Sequence, residues 1–180
     1  MADSIEIRPS VNSDLSAIEM LYPDAFPNED LLPLVIALLQ EVPETLSLVG
    51  TVGKTIVSHV IFTTCGIAGT SFKVALLGPL AVASARQQQG FGSAIIRNGL
   101  QRLENAGVTH VYVLGVYVLG DPAYYSRFGF MPDSKVAPPY PLPREWHGAW
   151  QSIGLGHAET LRHGELFVPQ PWLEPALWAP

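Results

Sequence analysis

Two stretches of the chain carry residue types that could do chemistry. The first is Gln87-Gln88-Gln89-Gly90-Phe91-Gly92-Ser93, between an apolar segment and an amphipathic one. If a helix starts here, its first amides have no partner within it and bear partial positive charge. Glycines at such a turn let phosphate oxygens come close to the backbone. The spacing is not that of a Walker loop, because no lysine follows the glycines. It is not a dinucleotide fingerprint either, because Ile95 stands where a third glycine is needed. Taken alone, Gly90 and Gly92 equally fit a plain strand-to-helix turn. The second stretch is Gly120-Asp121-Pro122-Ala123-Tyr124-Tyr125-Ser126-Arg127-Phe128-Gly129-Phe130. A phenol, of pKa about 10, can pass a proton to a departing thiolate of pKa about 8.5. Adjacent tyrosines equally fit simple packing.

The elements that must position these groups follow from patterning. Ile5-Glu6-Ile7-Arg8-Pro9 alternates and reads as a strand. Asn12-Ser13-Asp14 offers caps for a helix through Leu15, Ile18, Leu21 and Tyr22, which Pro23-Asp24 and Pro27-Asn28 are expected to break. Leu31 to Leu39 reads as a second helix. Leu46 to Val52 and Thr55 to Thr64 read as a hairpin turning at Gly53-Lys54. Phe72 to Val82 is a strand in which Gly78-Pro79 predicts a bulge or splay, since proline cannot donate to the ladder. Ile96, Leu100 and Leu103 mark one face of a helix that stops at Asn105-Ala106-Gly107. Val108 to Leu119 reads as a strand buried on both faces. Asp121-Pro122 opens a short helix closed by Gly129. Ala137 to Trp150 reads as loop, Glu165 to Val168 as a last strand, and Trp172 and Trp178 as a tail packed on the body.

Composition narrows the classes of function. The chain has 180 residues, 48% apolar and 14% charged, which suits one domain with a substantial core. Ten basic against sixteen acidic residues give a net charge of −6, with no Lys/Arg cluster to grip nucleic acid. No apolar run is long enough to span a membrane. Met1-Ala2-Asp3-Ser4 does not begin a secretory signal. The single cysteine, Cys65, forms no internal disulfide, fits a reducing cytoplasm, and is expected to be a buried small hydrophobe. His157, His163 and Glu165 are close enough in sequence to consider as metal ligands but read as polar surface; no metal is expected. Ser93 and Ser152 lack a nucleophile elbow.

Val111-Tyr112-Val113-Leu114-Gly115 is followed at once by Val116-Tyr117-Val118-Leu119-Gly120. An odd-numbered tandem repeat reverses which face each residue takes on a regular strand, and Gly115 is the natural place to reset the phase.

Together the two chemical stretches resemble the GNAT superfamily of N-acetyltransferases, whose first motif, Arg/Gln-x-x-Gly-x-Gly/Ala, is matched by Gln87, Gly90 and Gly92. Its second motif places a tyrosine four residues before Gly-Phe, as Tyr125 stands before Gly129-Phe130. Leu77 to Val82 and Leu119 to Tyr125 most resemble the YhbS-like branch. The likeness is good from Phe72 to Phe130, looser from Ile5 to Thr64, and weak after Pro132. It implies a mixed α/β fold: a mostly antiparallel twisted sheet with a splayed parallel strand pair, flanked by helices. One domain over residues 1–180 is implied, with a core at about 5–130 and residues 131–180 completing the sheet and cleft. Acetyl-CoA is the implied cosubstrate. Its pyrophosphate would lie on the amides of Gln87, Gln88, Gln89, Gly90, Phe91, Gly92 and Ser93, and its pantetheine arm along Leu80, Ala81 and Val82. Asp121 and Tyr124 would line the far side of the cleft. The family often has Asn near Asp121.

The implied reaction is direct attack of a primary amine, on a small molecule or a peptide, with Tyr125 protonating the thiolate. An amide near Val82 would polarise the carbonyl. Glu29, Asp30 and His59 are candidates for the base. Trp146 and Trp150 fit either an aromatic wall or packing. Family spacing needs only one pentapeptide copy, and the second, abutting Asp121, is expected to take the strand position. Dimerisation is an expectation of the resemblance. The competing readings are a non-catalytic acyl-CoA sensor on the same fold and a nucleotide-binding protein of another fold.

Overall fold

A computed structural model describes residues 4–116, 122–156 and 163–180. Its contacts group into two compact units, residues 1–62 with 78–102 and residues 63–77 with 103–180. The hydrogen-bonded strand order is β1-β2-β3-β4-β5-β8-β6, with β9 pairing β3 and β7. The result is an open mixed sheet with helices against it. This is the expected fold class, including the parallel pair.

In the first unit, β1 (Glu6–Pro9) pairs antiparallel with β2 (Thr45–Val52), Ile7 opposite Gly50. Gly53, with φ +61°, turns β2 into β3 (Thr55–Ile67). Helix α1 (Leu15–Ala25) buries Ile18, Leu21 and Tyr22, and α2 (Leu32–Glu41) buries Leu34, Val35 and Leu38. The helix ends at Ala25, between the two proline pairs expected to break it, so Pro23 itself does not stop it. Proline removes only its own N–H, and the helix resumes when the Phe26 amide donates to the Tyr22 carbonyl at 2.8 Å. Strand β4 (Lys73–Val82) carries the Gly78-Pro79 pair, joined by a cis peptide. After a short 3-10 turn at Ser84–Arg86, α3 (Phe91–Asn105) begins.

Gly99 of α3 lies against the Phe62 ring, where an added methyl would overlap ring carbons. Helix propensity alone favours Gly→Ala by about 1 kcal/mol. Overpacking costs about 1–3 kcal/mol. Phe62 is fully buried and has nowhere to yield, so the clash should win. Gly99→Ala is expected to lower unfolding free energy by about 1 kcal/mol in chemical denaturation, with Phe62→Leu recovering part of it.

In the second unit, β5 (His110–Leu114) runs parallel to β4, Val74 to Leu76 opposite His110 to Tyr112. It is antiparallel to β8 (Trp150–Gly154), which also pairs with β6 (Met131–Pro132). Strand β9 (Gly164–Phe167) joins β3 at Gly66-Ile67 and runs parallel to β7 (Val136–Ala137). The tail packs as expected: Trp178 is buried, its indole N–H donating to the Trp172 carbonyl at 3.0 Å.

Three expectations need correction here. The strand expected over Val108 to Leu119 covers only His110–Leu114. The pairing partner of β4 is the first pentapeptide copy, not the second. Gly115 and Val116 form a turn, so the strand has already ended where the second copy starts, and Tyr117 to Gly120 lie outside the described residues. The loop expected over Ala137 to Trp150 ends in strand, Trp150 opening Trp150–Gly154 inside the sheet.

Candidate active site

The first chemical stretch belongs to the first unit. At the end of β4, Leu80 and Ala81 are buried and Val82 is half-buried. The Val82 carbonyl already has a partner: the Gln87 side-chain amide donates to it at 3.2 Å. The Gln89 side chain likewise donates to the Ala85 carbonyl at 3.2 Å. The Gln87 and Gln89 side chains are thus turned back onto their own loop. Gln88 and Gly90 take left-handed backbone, φ +63° and +84°, which reverses the chain into α3. The Ala94 amide donates to the Gly90 carbonyl at 3.0 Å, making Gly90 the cap. The amides of Phe91, Gly92 and Ser93 are therefore the first-turn donors that α3 cannot satisfy. Phe91 and Gly92 are buried, which anchors the turn. A Cβ built on Gly90 meets nothing within 4 Å, so there is open space beside the loop. The arrangement is a helix N-terminus whose first-turn amides α3 cannot satisfy, behind an exposed glycine turn.

The second stretch belongs to the second unit. The 3-10 segment Pro122–Phe128 carries both tyrosines. Tyr125 is buried, its ring edge-on to Tyr124 at 5.2 Å and to Phe130 at 5.7 Å. Gly115 backs onto the same ring. Burial, and then the neighbouring Tyr124, push the Tyr125 phenol well above its ordinary value. It therefore carries its proton throughout the neutral range. Tyr124 is half-buried, with the Arg127 guanidinium 4.4 Å over its ring. Asp121 lies outside the described residues.

The base candidates separate. His59 is fully buried, with Nδ1 2.7 Å from the Tyr22 hydroxyl and Nε2 2.8 Å from the Ser47 hydroxyl. Burial lowers its pKa to about 3, against a smaller opposing pull from Asp14. Both ring nitrogens are engaged inside the core, so His59 is a packing residue rather than a base. Glu29 and Asp30 are exposed and line a cavity of about 360 Å³ together with Tyr22 and Phe26. Trp150 stacks on Tyr112 at 5.6 Å, and its indole N–H donates to the Val136 carbonyl at 2.8 Å, so it packs. His163 is exposed, and His157 lies outside the described residues. Among the described residues no group of three His, Cys, Asp or Glu is placed to hold a metal ion. No described helix is long and apolar enough to cross a membrane.

One contact had no sequence signal. The Asp24 carboxylate accepts both the backbone N–H and the hydroxyl of Ser84, each at 2.8 Å, across 60 residues of chain.

Comparison with known proteins gives the family. The acetyltransferase (GNAT) family model matches residues 14–130. The chain is 34% identical over 150 residues to the uncharacterized N-acetyltransferase YjhQ of Escherichia coli strain K12, covering 79% of this chain and 80% of that one. It superposes on the crystal structure of the Escherichia coli GNAT protein YhbS in complex with CoA with a TM-score of 0.85 and 26% identity, covering 97% and 94% of the two chains. A GNAT family acetyltransferase from Brucella melitensis, in complex with acetyl-CoA, gives a TM-score of 0.74 and 26% identity, covering 94% and 99%. Matched over most of its length in sequence and in fold, the chain belongs to the GNAT family of acetyltransferases.

Proposed function

We propose that the chain transfers an acetyl group from acetyl-CoA to a primary amine by direct attack in a ternary complex. The observation that carries this is the cradle itself: first-turn amides of α3 behind the left-handed Gln88–Gly90 turn, with open space at Gly90. The CoA and acetyl-CoA held by the YhbS and Brucella structures support the same ligand here. The diphosphate is assigned to the amides from Gln87 to Ser93. Backbone groups of Leu80, Ala81 and Val82 take the pantetheine arm, beside the Val82 carbonyl that the Gln87 side chain already engages. An amide at that strand end polarises the thioester carbonyl. Asp121 and Tyr124 are also assigned to the coenzyme.

Each turnover converts an ammonium and a thioester into an amide, a thiol and one released proton. Holding both reactants together removes much of the entropic barrier. Tyr125 keeps its proton and offers a hydrogen bond to sulfur as negative charge develops there. A phenol so far above a thiol in pKa is a reluctant full donor, so the bond stabilises charge before the proton crosses. Tyr125→Phe should lower kcat by about tenfold while leaving acetyl-CoA affinity intact. Unchanged turnover with an active amine would remove Tyr125 from the chemistry.

Calorimetry with acetyl-CoA, followed by thiol release over a panel of small amines and peptides, tests the assignment. The buried phenol favours one alternative, an acyl-CoA sensor without turnover, for which binding without thiol release would be the mark. The amine's identity and dimerisation belong to the same experiments. The lone buried Cys65 suits a cytoplasmic setting.

A further inference from the structure

We propose that Asp24 is a positioning residue for the coenzyme: its carboxylate clamps Ser84 and so holds the end of β4 and the turn before α3 in their receiving shape. The proposal rests on the coenzyme assignment made above.

Asp24 sits in the last turn of α1, where the helix dipole disfavours a negative charge. A carboxylate in that place needs a compensating partner, and Ser84 supplies two donors, its N–H and its hydroxyl, at 2.8 Å each. Those bonds hold the carboxyl below the usual carboxylate range, so the charged, accepting form persists at neutral pH. The pair is exposed at the surface, so it adds little to the core.

What the pair holds is specific. The Tyr22 hydroxyl, from the same turn of α1, lies 3.4 Å from the Pro79 carbonyl as a donor. The Ala83 amide donates to the Val57 carbonyl at 2.8 Å. Asp24 then fixes Ser84. Leu80, Ala81 and Val82 therefore lie between the Tyr22 contact and the Asp24 clamp, both from one turn of α1, with β3 holding Ala83 beside them. Downstream, Gln87 and Gln89 tie the loop to Val82 and Ala85. Releasing Ser84 frees the base of the loop while leaving the loop's own bonds in place.

The test uses the full chain and the variants Asp24→Ala, Asp24→Asn, Ser84→Ala and the double Asp24→Ala/Ser84→Ala, with CoA and acetyl-CoA as probes in calorimetry. Each alanine variant should bind about three- to tenfold more weakly, the scale of one exposed charge-assisted hydrogen bond. The double variant should be no worse than either single, because one contact is removed in all three. Asp24→Asn, which keeps one acceptor oxygen, should recover part of the loss. In turnover the acetyl-CoA KM should rise with kcat nearly unchanged, and the ligand-free Tm should stay within about 2 °C. Folded alanine variants that bind as the parent does would overturn the clamp, as would losses that simply add. If Asp24→Ala does not fold, the Ser84→Ala and Asp24→Asn pair decides by the same criteria. A parent chain that binds neither probe would instead sink the coenzyme assignment, and the clamp with it.

Discussion

Gly92→Glu is expected to abolish binding of acetyl-CoA. The position is buried in the first turn of α3, so a longer side chain there cannot be accommodated without displacing the turn. Its carboxylate would sit where the helix terminus gathers positive potential and would satisfy the donors that a diphosphate needs. Like-charge repulsion adds to the steric loss, and such juxtapositions cost several kcal/mol. A fall in affinity of at least about 100-fold is expected, equivalent to about 2.7 kcal/mol. Ser93→Glu provides the companion variant: half-buried, it brings the charge without filling the glycine's place, and should weaken binding less. Circular dichroism establishes that both fold. Micromolar affinity retained by folded Gly92→Glu would disprove the cradle.

The turn into α3 was legible because the residues that make it are the ones that local backbone geometry demands. A left-handed cap calls for Gly90, and the helix behind it declares itself through Ile96 and Leu103. Depth was not legible. His59 lies on a strand read from its Val, Ile and Thr content as an inner one, and that content does not say how completely the ring is covered or what its nitrogens meet. Only the folded chain places its two nitrogens on Tyr22 and Ser47. Strand β8 escaped notice because Trp150-Gln151-Ser152-Ile153-Gly154 is short, follows a proline-rich stretch, and buries a glutamine. Its strand character comes from pairing with β5, a non-local interaction. Pro23 misled because proline breaks helices on average, whereas here it forfeits one bond near the end of α1.

The second large effect concerns acid stability. In the unfolded chain His59 takes up a proton near pH 6.5, whereas in the fold it resists protonation down to about pH 3. Between those values the unfolded state binds more protons, so stability falls as pH is lowered from about 6.5. At pH 4.5 the loss should reach about 2–3 kcal/mol, at about 1.4 kcal/mol per unit. Tyr22 and Ser47 contact the ring, and Asp14 is the one charge that favours its protonation, too weakly to reverse the sign. Urea unfolding at pH 7.5 and 4.5 for the parent and for His59→Gln measures it. The variant should be less stable at neutral pH yet lose less on acidification. Equal losses in the two chains would assign acid sensitivity elsewhere.

The tandem pentapeptides make strand choice degenerate. Either copy could present identical side chains to β4 and β8, so the seat itself cannot discriminate between them. The residue entering the seat can. With the first copy it is His110, set edge-on against Phe72 at 6.3 Å with Nδ1 3.0 Å from the Thr109 hydroxyl; with the second it would be Gly115, which has no ring to offer. Choosing the first copy also decides where the slack goes: the five surplus residues fall between Leu114 and the tyrosine-bearing segment, and the tether from α3 to β5 stays short. Excising one copy would leave every strand seat filled and change only the length of leash on Tyr125.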